Sequence, residues 1–70
     1  MEQSKLLRIL EGVLLAAGAP LSVPQIKELF DEPDKPAASE IRDALELISS
    51  KYSEAGFELK EVASGFRFQI

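Results

Sequence analysis

The stretch Leu6 to Ser22, LLRILEGVLLAAGAPLS, constrains this chain more than any other. At about 100° per residue, Ile9, Val13, Leu6, Ala17, Leu10, Leu14 and Leu7 fill one continuous arc of about half a helical circumference. Lys5, Arg8, Glu11 and Gly12 take the other side, and Leu15 stands among them. A stripe of ordinary width serves one small core. This arc is wider, so the helix either lies at the centre of the domain or also faces another molecule. It is expected to run from Lys5 to Ala17, with Ser4 or Gln3 as its cap. Gly18 is expected in the left-handed region as the C-cap, with Pro20 behind it. Gly12 costs such a helix about 1 kcal/mol relative to Ala, so packing outweighs the loss or the missing side chain admits a close approach.

Seventy residues make one domain. Below roughly 70–80 residues, area burial and chain entropy nearly cancel, so small domains lean on a disulfide, a metal or a partner surface. There is no Cys and no His, which removes a disulfide and leaves only carboxylates for a metal. The net charge of −4 argues against binding to a phosphate backbone, which depends on clustered Lys and Arg. The longest uninterrupted apolar run, Val13 to Ala17, is far short of the roughly 20 residues a bilayer needs. It also lacks the pattern of a signal peptide.

The remaining elements follow from caps and periodicity. Leu21 falls in a short extended segment. Ser22 and Gln25 form a capping box with Pro24 in the first turn, which opens a second helix over Val23 to Phe30. Its stripe is Ile26, Leu29 and Phe30, and DEPDK over 31–35 breaks it. A third helix is expected from Pro36 to about Ala55, capped by Ser39 if it starts late. Its stripe is Ile41, Ala44, Leu45, Ile48 and Tyr52, and Gly56 follows it. The tail then changes period: Phe57, Leu59, Phe66, Phe68 and Ile70 alternate with Glu58, Lys60, Arg67 and Gln69. Ser64-Gly65 reads as a hairpin turn. A two-residue loop there pairs Ala63 with Phe66 and Leu59 with Ile70, with Glu61 on the apolar face beside Phe68. A longer loop opposes Val62 to Phe66. The order helix, short strand, helix, helix, strand, strand is the winged-helix plan: mainly α with a small β-hairpin, a helix-turn-helix domain of the α+β class. A small α+β domain of another topology is the alternative.

Catalysis is not expected, since no His or Cys serves as base or nucleophile and no glycine-rich phosphate loop is present. The fold plan invites DNA binding, but the third helix sets Arg42 and Lys51 against Glu40, Asp43, Glu46 and Glu54. The hairpin sets Lys60 and Arg67 against Glu58 and Glu61. A groove reader needs positive charge and donors here. Spare apolar side chains point instead to protein interaction. Leu15 projects from the polar side of the first helix, Leu7 and Leu14 edge its arc, and Phe66 and Phe68 sit in a hairpin with an open edge. Leu7, Leu14, Leu15, Phe66 and Phe68 are the candidate interface residues, each weighed against plain core.

The string EGVLLAAGAPLSVPQIKELF resembles the N-terminal region of the segregation and condensation protein B family, the bacterial condensin accessory subunit, with its pattern near E-A-L-L-F-x-S-G-E-P-L-S. The tail LELISSKYSEAGFELKEVASGFRFQI is similar to that family's L-x-x-L-x-x-x-Y-x-x-x-G-I-x-L-x-x-V-x-x-G-Y-R, with Leu45, Ile48, Tyr52, Gly56, Phe57, Leu59, Val62, Gly65, Phe66 and Arg67 on it. Gly12 departs from a usual Ala, Leu15 from Phe, Ala17 from Ser, Ala19 from Glu and Phe66 from Tyr. The resemblance implies two tandem winged-helix domains. It also implies dimerisation partly through the first, and binding to a kleisin of the segregation and condensation protein A type that bridges the heads of an SMC ATPase in chromosome condensation and segregation. Residues 1–70 then form the N-terminal winged-helix domain of a longer cytoplasmic protein. It acts as a homodimerisation module with no catalysis, cofactor, metal, membrane or sequence-specific nucleic-acid contact. A DNA-binding domain of a transcription regulator and a monomeric spacer are the alternatives.

Overall fold

The structure is a computed structural model that describes residues 1–56 and 58–69. The strand places expected for Phe57 and Ile70 lie outside the described residues. Three helices, α1 (Gln3–Ala16), α2 (Val23–Lys27) and α3 (Ala38–Lys51), precede a hairpin of β1 (Glu58–Val62) and β2 (Gly65–Gln69). This is the winged-helix order.

α1 buries Leu6, Leu10 and Leu14, the centre of its apolar arc. It begins without a side-chain cap at Glu2, and the Ser4 hydroxyl donates to the Glu2 carboxylate instead. Its end differs from expectation. Ala17 leaves the helix in an extended conformation (φ −71°, ψ 133°), with its N–H on the Val13 carbonyl. The positive-φ glycines are Gly56 and Gly65, so Gly18 makes no left-handed cap. The chain bends at Gly18 and Ala19 and then reaches the extended segment at Leu21. Nothing lies within 4 Å of a Cβ added at Gly12, so that glycine serves no close approach.

α2 opens on the expected capping box. Ser22 Oγ accepts the Gln25 N–H at 3.2 Å, and Gln25 Oε1 accepts the Ser22 N–H at 2.8 Å. The helix stops at Lys27, three residues early, because the chain tightens to i→i+3 bonds from Leu29 to Ile26 and from Phe30 to Lys27. That tightening keeps Ile26 and Phe30 in the core and turns Leu29 out of the expected stripe, 57% exposed.

α3 starts at Ala38 rather than Pro36, and its N-cap is Ala37, not Ser39. Half a capping box forms: the Glu40 carboxylate accepts the Ala37 N–H at 3.0 Å, and alanine has no oxygen to return the bond. The helix ends at Lys51, and turns over 52–56 close at Gly56 with φ +86°. Ile41, Ala44, Leu45 and Ile48 are buried as the stripe requires, and Tyr52 is half-buried. These side chains meet Leu6, Leu10, Leu14, Val23, Ile26, Phe30 and Leu59 in one core. Each large aliphatic side chain so buried contributes about 1.5–3 kcal/mol.

The hairpin keeps the expected faces but not the expected register. Leu59 opposes Phe68, Glu61 opposes Phe66 and Val62 opposes Gly65, so the two-residue loop is Ala63-Ser64. The Ser64-Gly65 turn and both registers built on it are thereby corrected. Leu59, Glu61, Phe66 and Phe68 still share one face, since a shift of two residues preserves parity. Gly65 is needed for another reason. Its φ is +138°, and an added Cβ would stand 2.3 Å from the Leu21 carbonyl carbon and 2.5 Å from the Ser22 nitrogen. The extended segment after α1 lies against β2 at this point, with the Leu21 N–H on the Phe66 carbonyl at 2.9 Å and the Phe66 N–H on the Leu21 carbonyl at 2.8 Å.

Two glycine substitutions separate these roles. Gly65→Ala forces a positive-φ side chain into backbone atoms and is expected to cost at least about 2 kcal/mol. Gly12→Ala, in open helix, is expected to gain about 0.8 kcal/mol. Urea unfolding followed by circular dichroism reads both.

Candidate protein-interaction surface

The outward faces of α1 and α3 carry the apolar side chains that the core leaves over. Leu7, Glu11 and Leu15 form an i, i+4, i+8 row on one side of α1. Leu15 is 58% exposed, and Leu47 on α3 is 45% exposed. Leu7 is half-buried against the core and lines a shallow groove between the two helices with Leu47, Arg8, Glu11 and Lys51. The row therefore reads apolar, charged, apolar.

The charged middle is tied down. Lys51 Nζ donates to both Glu11 oxygens at 3.1 and 3.2 Å, and the Tyr52 hydroxyl donates to Glu11 Oε2 at 2.5 Å. The Glu11 side chain is only 15% exposed while that of Lys51 is 61% exposed. The Tyr52 hydrogen bond and the Lys51 ammonium hold the Glu11 carboxyl below the ordinary carboxylate range, against a smaller opposing effect of burial. The same contacts push the Lys51 and Tyr52 values up. The Tyr52 ring also meets Phe68 edge-on, with centroids 5.3 Å apart and planes at 79°, which couples the α3 end to the hairpin.

The five sequence candidates separate into three environments. Leu15 is a free apolar surface, and Leu7 offers one edge of the groove. Leu14 is 3% exposed and spent on the core, so it has no surface to present; it lies within the same buried row as Leu6 and Leu10. Phe66 and Phe68 are half-buried on the inner face of the hairpin, packed against the core. Leu47 was missed by sequence reasoning, although it stands off the α3 stripe just as Leu15 stands off that of α1. The Glu11–Lys51–Tyr52 cluster joins residues 40 and 41 positions apart and has no local sequence signal.

A second groove, of about 650 Å³, runs between α3 and the hairpin, the place where a DNA-reading winged helix presents cations. Arg42 lines it together with Glu46 and Glu61, while Lys60 and Arg67 pair across the strands on the opposite face of the hairpin. This charge pattern does not suit a phosphate backbone. Among the described residues, no cluster of three or more His, Cys, Asp or Glu is placed to hold a metal ion. No described helix is long and apolar enough to cross a membrane.

A family model for the segregation and condensation complex subunit ScpB matches residues 8–70. The chain belongs to that family. It is 41% identical over 61 residues to a segregation and condensation protein B homolog of Coxiella burnetii (strain RSA 493 / Nine Mile phase I), a match covering 87% of this chain. The same match covers 29% of that relative, so the chain spans less than a third of its length. No solved structure matches the chain. The family pattern over EGVLLAAGAPLS and over the tail falls on α1, the Leu21 segment, α3 and the hairpin. It therefore tracks the elements that build the core and the Gly65 approach.

The Glu11 cluster has a pH signature. A carboxyl held low in the folded state stabilises the fold above its unfolded value, and that contribution disappears as pH falls through the depressed folded value. The urea midpoint of the native chain is expected to fall on acidification below about pH 4.5. Glu11→Gln is expected to start lower at neutral pH and to show a flatter acid limb.

Proposed function

We propose that this chain is a non-catalytic protein-interaction and dimerisation domain. In this reading it is the N-terminal winged-helix domain of a longer cytoplasmic accessory subunit of a bacterial condensin. That subunit acts with a kleisin and, through it, with an SMC ATPase in chromosome condensation and segregation. Family membership supports the complex, and one observation supports the mode of action: large leucines stand exposed beside a neutralised ion pair on the α1–α3 face.

The physical case rests on what a partner would cover. Leu15 and Leu47 expose side chains that bring apolar burial when a second surface docks. Glu11 stands one turn from Leu15 on α1 and lines the groove with Leu47, and an isolated carboxylate there would oppose dehydration. Lys51 and Tyr52 already satisfy it, so the face can be covered without stranding a charge. An identical face on a second copy meets these requirements about a two-fold axis. A kleisin helix with apolar residues at i, i+3, i+4 and i+7 is the other partner the groove suits.

Sedimentation equilibrium over a concentration series tests the reading. The native chain is expected to gain mass toward a dimer. Leu15→Glu and Leu47→Glu are each expected to weaken association about tenfold or more while shifting stability by less than about 0.5 kcal/mol, since neither side chain is in the core. A monomer mass held constant to millimolar concentration contradicts the dimer. Unfolding by Leu15→Glu contradicts its place outside the core.

A further inference from the structure

The exposed row of α3 has a symmetry that the outward row of α1 lacks. Asp43, Leu47 and Lys51 follow one another four residues apart on one side of the helix, each a turn from the next. All three are exposed. From Leu47 toward the helix start the row offers an anion, and toward the helix end it offers a cation at the same spacing. Turned end for end about Leu47, the row presents each charge to its opposite. The α1 row of Leu7, Glu11 and Leu15 has its charge in the middle instead. Turned about its own centre, it sets Glu11 against Glu11.

Lys51 can serve two carboxylates. Its ammonium carries three N–H groups, and the bonds to Glu11 Oε1 and Oε2 at 3.1 and 3.2 Å occupy two of them. The rest of the side chain is mostly in solvent. Glu40, which precedes the row on the same side, has its carboxylate on the Ala37 N–H at 3.0 Å. The other flank of α3, with Arg42, Glu46 and Ser49, faces the hairpin groove and takes no part in the row.

We propose that two copies of the chain pack their α3 helices antiparallel about a two-fold axis through Leu47, with Asp43 of each copy against the partner's Lys51. This rests on the α1–α3 face acting between two copies, and it fixes how they meet. In an isologous contact each pairing occurs twice, and only a residue on the axis meets its own copy. Leu47 is then covered by Leu47, and two charge pairs flank it. A slide of one turn in either direction sets Leu47 against Lys51 or against Asp43, so the charges select the register.

The absence of cysteine from the chain makes the axis testable. Leu47→Cys, Leu15→Cys and Leu29→Cys each introduce a single thiol at an exposed leucine outside the core. Under mild oxidation, at a concentration where the native chain sediments as a dimer, Leu47→Cys is expected to be trapped as a covalent dimer about tenfold faster than either of the others. Asp43→Lys is expected to weaken association about tenfold, because one substitution turns two attractions into two repulsions, and added salt is expected to narrow the difference. Glu46→Lys makes the same charge change on the hairpin flank of the same helix and is expected to leave association within about twofold of native. Trapping at Leu15 or Leu29 as fast as at Leu47, or equal effects of Asp43→Lys and Glu46→Lys, overturns the axis at Leu47 and leaves dimerisation itself standing. A native chain that stays monomeric to millimolar concentration overturns both.

Discussion

The two hydrogen bonds between Leu21 and Phe66 hold this small fold together as one object. A hairpin of two five-residue strands is marginal by itself. Here it is joined to the segment that follows α1, so the hairpin, α1 and the start of α2 share one anchoring point. Gly65 makes the approach possible, because any larger residue would occupy the space of the Leu21 carbonyl. With the hairpin fixed, Leu59 closes the core, and Phe66 and Phe68 cover its flank.

That closure decides which leucines remain for other molecules. Leu6, Leu10 and Leu14 are consumed by the core, and Leu7 is half consumed. The surplus implied by the width of the α1 arc is therefore smaller than it looks on a helical wheel, and α3 supplies the rest through Leu47. The exposed leucines and the satisfied Glu11 are what the proposed interaction rests on. The same α3 that closes the core presents Arg42 and Glu46 together to the hairpin groove, so its charges there are mixed.

Periodicity and capping made the helices legible. The Ile41, Ala44, Leu45, Ile48 stripe and the Ser22–Gln25 box are local patterns, and local geometry satisfies them directly. What was illegible depends on distant backbone. Gly65 reads as a turn residue until Leu21, 44 positions earlier, is laid beside it, and the hairpin register slips by two residues on that misreading. Gly18 has the sequence of a cap, yet the chain leaves α1 extended because its next task is to pair with β2. Leu47 was legible by the same off-stripe criterion that singled out Leu15. Glu11 was not, because a solvated helix charge and one held by Tyr52 look alike in sequence.

Native-state hydrogen exchange at the Leu21 and Phe66 amides tests most directly whether the hairpin and helices are one cooperative unit. The account predicts that both amides exchange only through global unfolding, with protection equal to that of Leu10 and Ile48. Exchange at those two amides as fast as at the Ala63-Ser64 loop, with the helices still protected, would show a hairpin that opens independently and would contradict it.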